Sequence, residues 1–170
     1  MQGSAPSASK PANHVVRPAT SDDIATILEL IRELAIYEKL EHEAVATPNL
    51  LERNLFGPRP YAECLIAEMD GAPVGYALFF HSFSTFIGKP GIYLEDLFVK
   101  PDARGTGIGL KLLKALADLA QTRDCARIEW SVLDWNEPAI QFYRRIGAKP
   151  QDEWTVYRMT GAAIRNLSGT

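Results

Sequence analysis

The chain has 170 residues, of which 46% are hydrophobic and 23% charged, proportions that are typical of one globular domain. Its formal net charge of -3 argues against nucleic acid as a partner, because binding phosphates requires a basic surface. No apolar run approaches the ~20 residues that span a bilayer, and the two cysteines have no metal-type spacing. We therefore expect a cytoplasmic protein that uses no metal and binds neither membrane nor nucleic acid.

The beginning of the chain is rich in Ser, Ala and Pro and lacks the apolar core of a signal peptide. Residues 1–13 are therefore predicted to be a disordered leader, and residues 14–170 to be a single domain. Within that domain, residues 15–17 predict a short first strand that ends at Pro18.

The next segments predict two helices. Apolar residues recur at three- and four-residue spacing from Ile24 to Leu34, which indicates an amphipathic helix that ends at about Tyr37. A shorter helix is expected over residues 48–56, because Pro48 suits the first turn of a helix.

Three strands are predicted after these helices. Residues 64–67 and 74–80 are apolar runs separated by Asp70-Gly71, which is a strong signal for a tight hairpin. Residues 92–99 form a further apolar run after a glycine- and proline-containing turn. The three runs predict a meander of neighbouring strands.

The remaining pattern alternates helices and strands. It predicts a helix from Leu110, a strand over 128–133, a helix from Pro138 to the cap at Gly147 and a closing strand over 156–159. The combination of local hairpins with a strand–helix–strand crossover indicates an α/β (α+β) fold, with a sheet covered by helices on both faces.

A glycine-rich loop over residues 105–109 separates the third meander strand from the helix that follows it. Glycines allow backbone N–H groups to approach a phosphate, the helix start adds unpaired N–H groups, and Arg104 adds a cation. Glycines here could instead serve only the turn. The loop lacks the dinucleotide-binding fingerprint, and no Lys-Ser or Lys-Thr follows it as in a Walker loop.

Several motifs resemble one superfamily of acetyltransferases. Residues 96–109, with the pattern D-L-F-V-x-P-x-x-R-G-x-G-I-G, resemble the pyrophosphate-binding motif of the GNAT superfamily. Residues 135–148, beginning W-N-E-P, resemble its second acetyl-CoA segment. Residues 17–20, 33–38 and 93–96 look like those of spermidine/spermine and thialysine acetyltransferases, so the resemblance extends over residues 15–159.

The resemblance implies a GNAT-type fold. Its central sheet would be mixed but mostly antiparallel, with about 6–7 strands, and would splay between strands 4 and 5 to admit acetyl-CoA. The residues that the resemblance assigns to acetyl-CoA are Leu97, Phe98, Val99, Arg104, Gly105, Thr106, Gly107, Ile108, Gly109, Leu110, Asn136, Pro138, Ala139 and Tyr143.

The same resemblance implies the catalytic groups. Transfer of an acetyl group to an amine needs a neutral amine and a proton for the departing thiolate, and no metal. Glu95 would be the base and Tyr143 the acid, with the backbone N–H of Val99 as an oxyanion donor. A glutamic acid has a pKa near ~4.3 and an alkyl ammonium a pKa near ~10.4, so direct proton transfer from the amine to Glu95 would be unfavourable in water. Whether the proton moves directly or through water therefore stays open. Tyr143 could equally serve mainly as a hydrogen-bond donor to the sulfur.

The acceptor would be a primary amine of a small polyamine, a diamine or a thialysine-like amino acid. Carboxylates suit a cationic amine, and an aromatic ring offers a cation–π face. From helical position alone, Glu38 would be only the solvated end of a helix. The resemblance assigns Tyr37, Glu38, Glu95 and Asp96 to the acceptor. Glu129, Trp130 and Ser131 are also expected to bind it, because they lie on the strand that would flank the amine, although the sequence departs there from the mammalian polyamine enzymes.

Two other functions remain open at this point. The enzyme could acetylate a protein N-terminus or lysine, or the chain could be an acyl-CoA-binding sensor without turnover. The resemblance also implies a homodimer in which the C-terminal region, with Glu153 and Trp154, contributes to the partner's site.

Overall fold

The computed structural model describes residues 12–169. They fall into two compact units, within Met1–Ser131 and Val132–Thr170. The predicted leader lies outside the described residues except for its last two. Of these, Asn13 exchanges hydrogen bonds with Asp70, with the Asn13 N–H donating to the carboxylate at 2.9 Å and the Asp70 N–H donating to the Asn13 carbonyl at 2.8 Å.

The first unit is built on a five-stranded sheet with the order β1-β2-β3-β4-β5. Neighbouring strands are antiparallel except β4 and β5, which are parallel. The strands are β1 (His14–Pro18), β2 (Glu63–Met69), β3 (Ala72–Ser84), β4 (Lys89–Val99) and β5 (Ile128–Trp130). The predicted hairpin between β2 and β3 is confirmed, because Asp70 and Gly71 have φ of +52° and +83°, as a type I′ turn requires.

Three helices belong to this unit and two to the second. In the first unit they are α1 (Ile24–Glu38), α2 (Pro48–Leu51) and α3 (Ile108–Thr122), and a π-helical turn, Glu52–Phe56, continues α2. In the second unit they are α4 (Glu137–Arg145) and α5 (Gly161–Ser168).

Helices α1 and α3 cover opposite faces of the sheet, as predicted. On one face, Ile27 and Leu30 of α1 pack in a buried cluster with Tyr76 of β3 and Phe98 of β4. The alternate residues of these strands face α3, whose Gly109 approaches Val99. On that face, Arg123 at the end of α3 lies 5.9 Å from the centre of the Phe79 ring. The apolar spacing of both helices therefore corresponds to real burial.

An ion-pair network fixes the start of α1 against the sheet. The guanidinium of Arg17 on β1 donates to both oxygens of Asp23 at 2.8 Å and to Glu68 on β2 at 2.8 Å. The Thr20 N–H also donates to Asp23 at 2.8 Å. The hydrogen bonds from Arg17 hold the pKa of Asp23 at about 2, although burial opposes them. Asp23 therefore remains ionised and anchors the helix.

A β-bulge interrupts β4 at Glu95. Leu78 pairs with Asp96 and the next residue of β3, Phe79, pairs with Leu94, so Glu95 is an inserted residue. Beyond the bulge, Tyr93 pairs with Phe80, which is on the same face of β3 as Leu78. In a regular strand, Glu95 and Asp96 would lie on opposite faces of the sheet. The bulge interrupts that alternation at these two residues.

The predicted number of strands is too high. The described residues form five strands rather than about 6–7, and residues 156–159 pair with no strand among them. An apolar extended segment becomes a strand only when a neighbouring edge supplies its hydrogen bonds, and alternation alone does not reveal that partner. The last strand of the sheet is also shorter than predicted, since it ends at Trp130 rather than Leu133.

Candidate active site

The second half of β4 has an open edge. Strand β3 pairs with β4 as far as Val99, whereas β5 pairs only with Ile92–Leu94. The sheet thus opens between its fourth and fifth strands, as the family resemblance implies. Of the residues assigned to acetyl-CoA, Leu97, Phe98 and Val99 lie on β4 beyond the point where pairing with β5 stops.

The glycine-rich loop connects the end of β4 to α3. Gly105 and Gly107 have φ of +77° and +89°, a left-handed conformation that glycine adopts without steric cost. In the described part of the chain, nothing lies within 4 Å of where a Cβ would stand at either glycine. The loop is therefore open, and α3 begins directly after it at Ile108.

The geometry of this loop suits a diphosphate. The first N–H groups of a helix have no partners within the helix, and its N-terminus carries a partial positive charge. Gly107 is the N-cap of α3, so Ile108, Gly109 and Leu110 form the first turn. Thr106 braces the loop, because its hydroxyl donates to the Ala103 carbonyl at 2.7 Å. The loop and the helix start together can bind an anion without a metal.

Arg104 lies between the loop and the first helix. Its Nε donates to the Val99 carbonyl at 2.9 Å. The guanidinium carbon lies 4.5 Å from the centre of the Tyr37 ring and 5.7 Å from that of Phe98. One side chain thus connects the end of β4, the glycine loop and the C-terminal end of α1.

Two of the predicted acceptor carboxyl groups, Glu38 and Asp96, are near enough for the charge of Asp96 to affect Glu38, and we refer to them as the carboxylate pair. Glu38 is the last residue of α1 and Asp96 follows the bulge of β4. Burial raises the pKa of Glu38, and the nearby charge of Asp96 raises it further. Burial also raises the pKa of Asp96, and the charge of Glu95 adds to that effect. An approaching cation would favour the ionised form of both carboxyl groups and so offset the cost of their burial.

Tyr76 is a site residue that sequence reasoning missed. It is fully buried on β3, and its hydroxyl donates to Oδ2 of Asp96 at 2.9 Å. That hydrogen bond stabilises the ionised carboxylate and opposes the effect of burial on the Asp96 pKa. A tyrosine in an apolar strand was itself a signal, because a buried phenol usually requires a hydrogen-bond partner.

The other residues of the first unit that were predicted to bind the acceptor lie on β4, on β5 or directly after β5. Glu95, the candidate base, is exposed at the bulge. Glu129 is paired with Arg127, whose Nε donates to it at 2.7 Å. Ser131 shares a hydrogen bond of 2.8 Å with the Tyr93 hydroxyl, and Trp130 is half-buried. The negative charge of Glu129 is therefore already balanced by the guanidinium of Arg127.

The second unit holds the remaining predicted residues on and beside α4. Asn136 is buried and caps this helix, because its side-chain oxygen accepts a hydrogen bond from the Ala139 N–H at 3.4 Å. Pro138 lies in the first turn. Tyr143 is half-buried on the same helix, with its ring centre 5.6 Å from that of Phe142.

Between residues 12 and 169, no group of three or more His, Cys, Asp or Glu side chains is arranged to hold a metal ion. None of the helices in that range combines the length and apolar character needed to cross a bilayer.

Comparisons with known proteins identify the family. The model of the Acetyltransferase (GNAT) family matches residues 25–148. The thialysine N-epsilon-acetyltransferase of Bos taurus is 41% identical, over 91% of this chain and 97% of that protein. The L-ornithine N5-acetyltransferase NATA1 of Arabidopsis thaliana is 30% identical, over 89% of this chain and 86% of that protein.

A solved structure agrees with these matches. The integron cassette protein VCH_CASS6 from V. cholerae superposes with a TM-score of 0.78 at 27% identity, covering 92% of this chain and 98% of that one. The family match spans both the glycine loop and helix α4, and the sheet opens where the resemblance places acetyl-CoA. The chain belongs to the GNAT family of acetyltransferases.

Proposed function

We propose that this acetyltransferase moves the acetyl group of acetyl-CoA directly to a primary amine of a small polyamine, a diamine or a thialysine-like amino acid. The observation that carries the proposal is the carboxylate pair, in which Glu38 at the end of α1 is affected by the charge of Asp96 on the part of β4 that β5 leaves unpaired. Two neighbouring carboxylates favour an acceptor that has a second ammonium besides the amine that reacts. The names of the thialysine and ornithine acetyltransferase relatives support the same class of acceptor.

Acetyl-CoA would be held mainly by backbone groups of the first unit. In this proposal the N–H groups from Gly105 to Leu110 bind the pyrophosphate, and Leu97–Val99 line the acetyl and pantetheine parts. Arg104 adds positive charge and keeps the end of β4 in place through its hydrogen bond to the Val99 carbonyl. The bound thioester supplies the acetyl group. Asn136, Pro138, Ala139 and Tyr143 of the second unit are the other proposed contacts.

Glu95 and Tyr143 would carry the proton transfers. The bulge leaves Glu95 exposed at the edge of the sheet, where it can accept a proton from the amine directly or through a water molecule. Tyr143 would donate a proton or a hydrogen bond to the sulfur as the thioester bond breaks. The backbone N–H of Val99 is the proposed donor to the carbonyl oxygen on which negative charge develops.

We also propose that the enzyme is a homodimer formed through its C-terminal region. Within the second unit, Trp154, Val156 and Tyr157 are 78%, 81% and 93% exposed. Large apolar side chains exposed in succession are typical of an interaction surface. In this arrangement, Glu153 and Trp154 are the candidates for a contribution to the partner's site.

The acceptor assignment is tested at Glu38. Replacing Glu38 by Gln removes one charge of the carboxylate pair, and we expect the KM for a diamine to rise about tenfold, consistent with loss of a charge-assisted hydrogen bond. The KM for acetyl-CoA should not change. Glu41→Gln provides the matched control, since Glu41 is an exposed carboxylate on the turn that follows α1. Equal KM values for the diamine in Glu38→Gln and wild type would contradict the assignment.

A further inference from the structure

The hydroxyl of Tyr76 has a function that the fold alone does not require. Tyr76 lies in the apolar cluster between the sheet and α1, where a phenylalanine would fill the same space. Its hydroxyl instead donates to Oδ2 of Asp96 at 2.9 Å. Burying a polar group is unfavourable unless the group forms a hydrogen bond. The fully buried phenol of Tyr76 forms one to a single oxygen of the partly exposed Asp96, and packing alone does not explain that contact.

The register of the sheet explains why this contact is possible. Tyr76 pairs with Phe98 across the two strands, and Asp96 is the diagonal neighbour on the same face. The bulge at Glu95 immediately precedes Asp96 in β4, so the strand is locally irregular next to Asp96. The hydrogen bond from Tyr76 gives the Asp96 carboxylate a fixed contact beside this irregularity.

We propose that Tyr76 is a positioning residue for the acetyl acceptor: its buried hydroxyl holds one oxygen of Asp96, so that the other is directed with Glu38 toward the ammonium of the acceptor. This inference rests on the proposed function of the site. Tyr76 itself does not touch the acceptor, because its side chain is fully buried.

The surroundings of Asp96 otherwise oppose its ionisation, so the hydrogen bond from Tyr76 matters more. Asp96 is surrounded by Glu38 on α1, Cys64 on β2, Tyr76 on β3 and Glu95 on β4. Burial and the charge of Glu95 favour its protonated form, and the hydrogen bond from Tyr76 favours its ionised form. The pKa of Tyr76 is raised by burial and by Asp96, so the phenol stays protonated and remains a donor over the working pH range.

The first test is Tyr76→Phe, which removes the hydroxyl and keeps the ring. We expect kcat/KM for the amine to fall about ten- to a hundredfold, as for loss of a hydrogen bond to a charged group. The KM for acetyl-CoA should not change. Tyr61→Phe is the matched control, because it removes the hydroxyl of an exposed tyrosine away from this cluster.

The pH profile separates positioning from packing. Without the Tyr76 hydroxyl, Asp96 should bind its proton more tightly, so the acid limb of kcat/KM for the amine should move to higher pH in Tyr76→Phe. A purely structural role would lower activity without moving that limb. An unchanged acid limb would overturn the proposal, whether or not kcat/KM falls.

A double-mutant cycle tests whether Tyr76 acts through Asp96. Asp96→Asn should lower kcat/KM for the amine, and adding Tyr76→Phe to it should cause little further loss, because the residue that Tyr76 orients no longer carries a charge. Losses that multiply in the double variant would show that Tyr76 acts independently of Asp96 and would overturn the proposal.

A further variant leaves Tyr76 intact and so tests the proposal even if Tyr76→Phe does not fold. Asp96→Glu keeps the charge but moves the carboxylate by one methylene, and we expect it to lose amine kcat/KM nearly as much as Asp96→Asn. Wild-type activity in Asp96→Glu would show that charge without position is sufficient. A wild-type enzyme that acetylates no small amine would overturn the proposed function and this inference together, whereas an active wild type with normal Tyr76→Phe kinetics would overturn only the role of Tyr76.

Discussion

At the residue scale, Arg104 connects the glycine loop, the proposed site for the pyrophosphate, with the end of α1, the proposed site for the acceptor. Its guanidinium stacks near Tyr37 while its Nε donates to the Val99 carbonyl. Arginine suits this position because its planar group can stack on a ring and donate hydrogen bonds at its edge. Contacts made by Arg104 thus support both the proposed pyrophosphate loop and the aromatic residue proposed for the acceptor.

The role proposed for Tyr143 gives a prediction at the same scale. Tyr143→Phe removes the proton donor while keeping the ring, and we expect kcat to fall by about 100-fold or more, the usual contribution of a general acid. The Kd for acetyl-CoA should change much less. Tyr61→Phe is the control for loss of a phenol elsewhere. Steady-state rates and calorimetric binding measure the two effects, and unchanged turnover would contradict the acid assignment.

The individual residues differ in how well the sequence predicts their surroundings. Local spacing predicted the glycine loop and Arg104 as an anion site, and the family resemblance added the acidic residues of α1 and β4 as the acceptor site. Neither revealed that Tyr76 bonds Asp96 or that Arg104 stacks on Tyr37, because these contacts join residues 20 or more positions apart. They depend on strand register and on helix placement, which no local pattern encodes.

At the element scale, the ion pair between Arg17 and Asp23 links β1 to the start of α1. Asp23 accepts two hydrogen bonds from Arg17 and one from the Thr20 N–H, and the side chain of Asp23 is largely buried. A carboxylate held this way, with its pKa lowered to about 2 from 3.8, stabilises the folded state at neutral pH. That stabilisation is fully present when the pH is above the pKa of Asp23 in the unfolded chain. It is lost as the pH falls through the pKa of Asp23 in the folded protein.

This linkage predicts a pH-dependent effect on stability. Asp23→Asn should lower the free energy of unfolding by about 2 kcal/mol at pH 7. This is the free energy that corresponds to lowering the pKa of Asp23 from 3.8 to about 2 on folding. The difference from wild type should decrease as the pH falls from about 4 to about 2. Urea unfolding at a series of pH values measures it, with Asp118→Asn as the control, because Asp118 forms only an exposed helix pair with Lys114. A difference that persists unchanged at pH 2 would contradict the account.

The elements also show where pattern reading fails. Strands β1 to β4 and helices α1, α3 and α4 were predicted because each has a strong period or a clear cap. Residues 156–159 were predicted as a closing strand but pair with none among the described residues. Helix α5 was not predicted, although Thr160 and Gly169 bound an alanine-containing helical segment. Strand formation depends on a partner edge, whereas a short helix depends on caps that are easy to overlook.

At the scale of the whole molecule, the proposed homodimer is open to direct measurement. Replacing Val156 by Asp places a charge in the exposed apolar series of the second unit, and we expect it to convert a dimer into a monomer in sedimentation velocity. Val45→Asp is the control, because Val45 is also exposed, at 77%, but lies outside that series. A wild-type protein that sediments as a monomer at micromolar concentration would contradict the proposal.

The proposed acetylation of a small amine can be measured through the release of CoA. CoA release is followed with acetyl-CoA and each of spermidine, putrescine, thialysine, lysine and a peptide with a free N-terminus. We predict rapid turnover with at least one of the small amines and little with the peptide. Tight binding of acetyl-CoA without turnover of any small amine would contradict the claim and favour a protein acceptor or an acyl-CoA sensor.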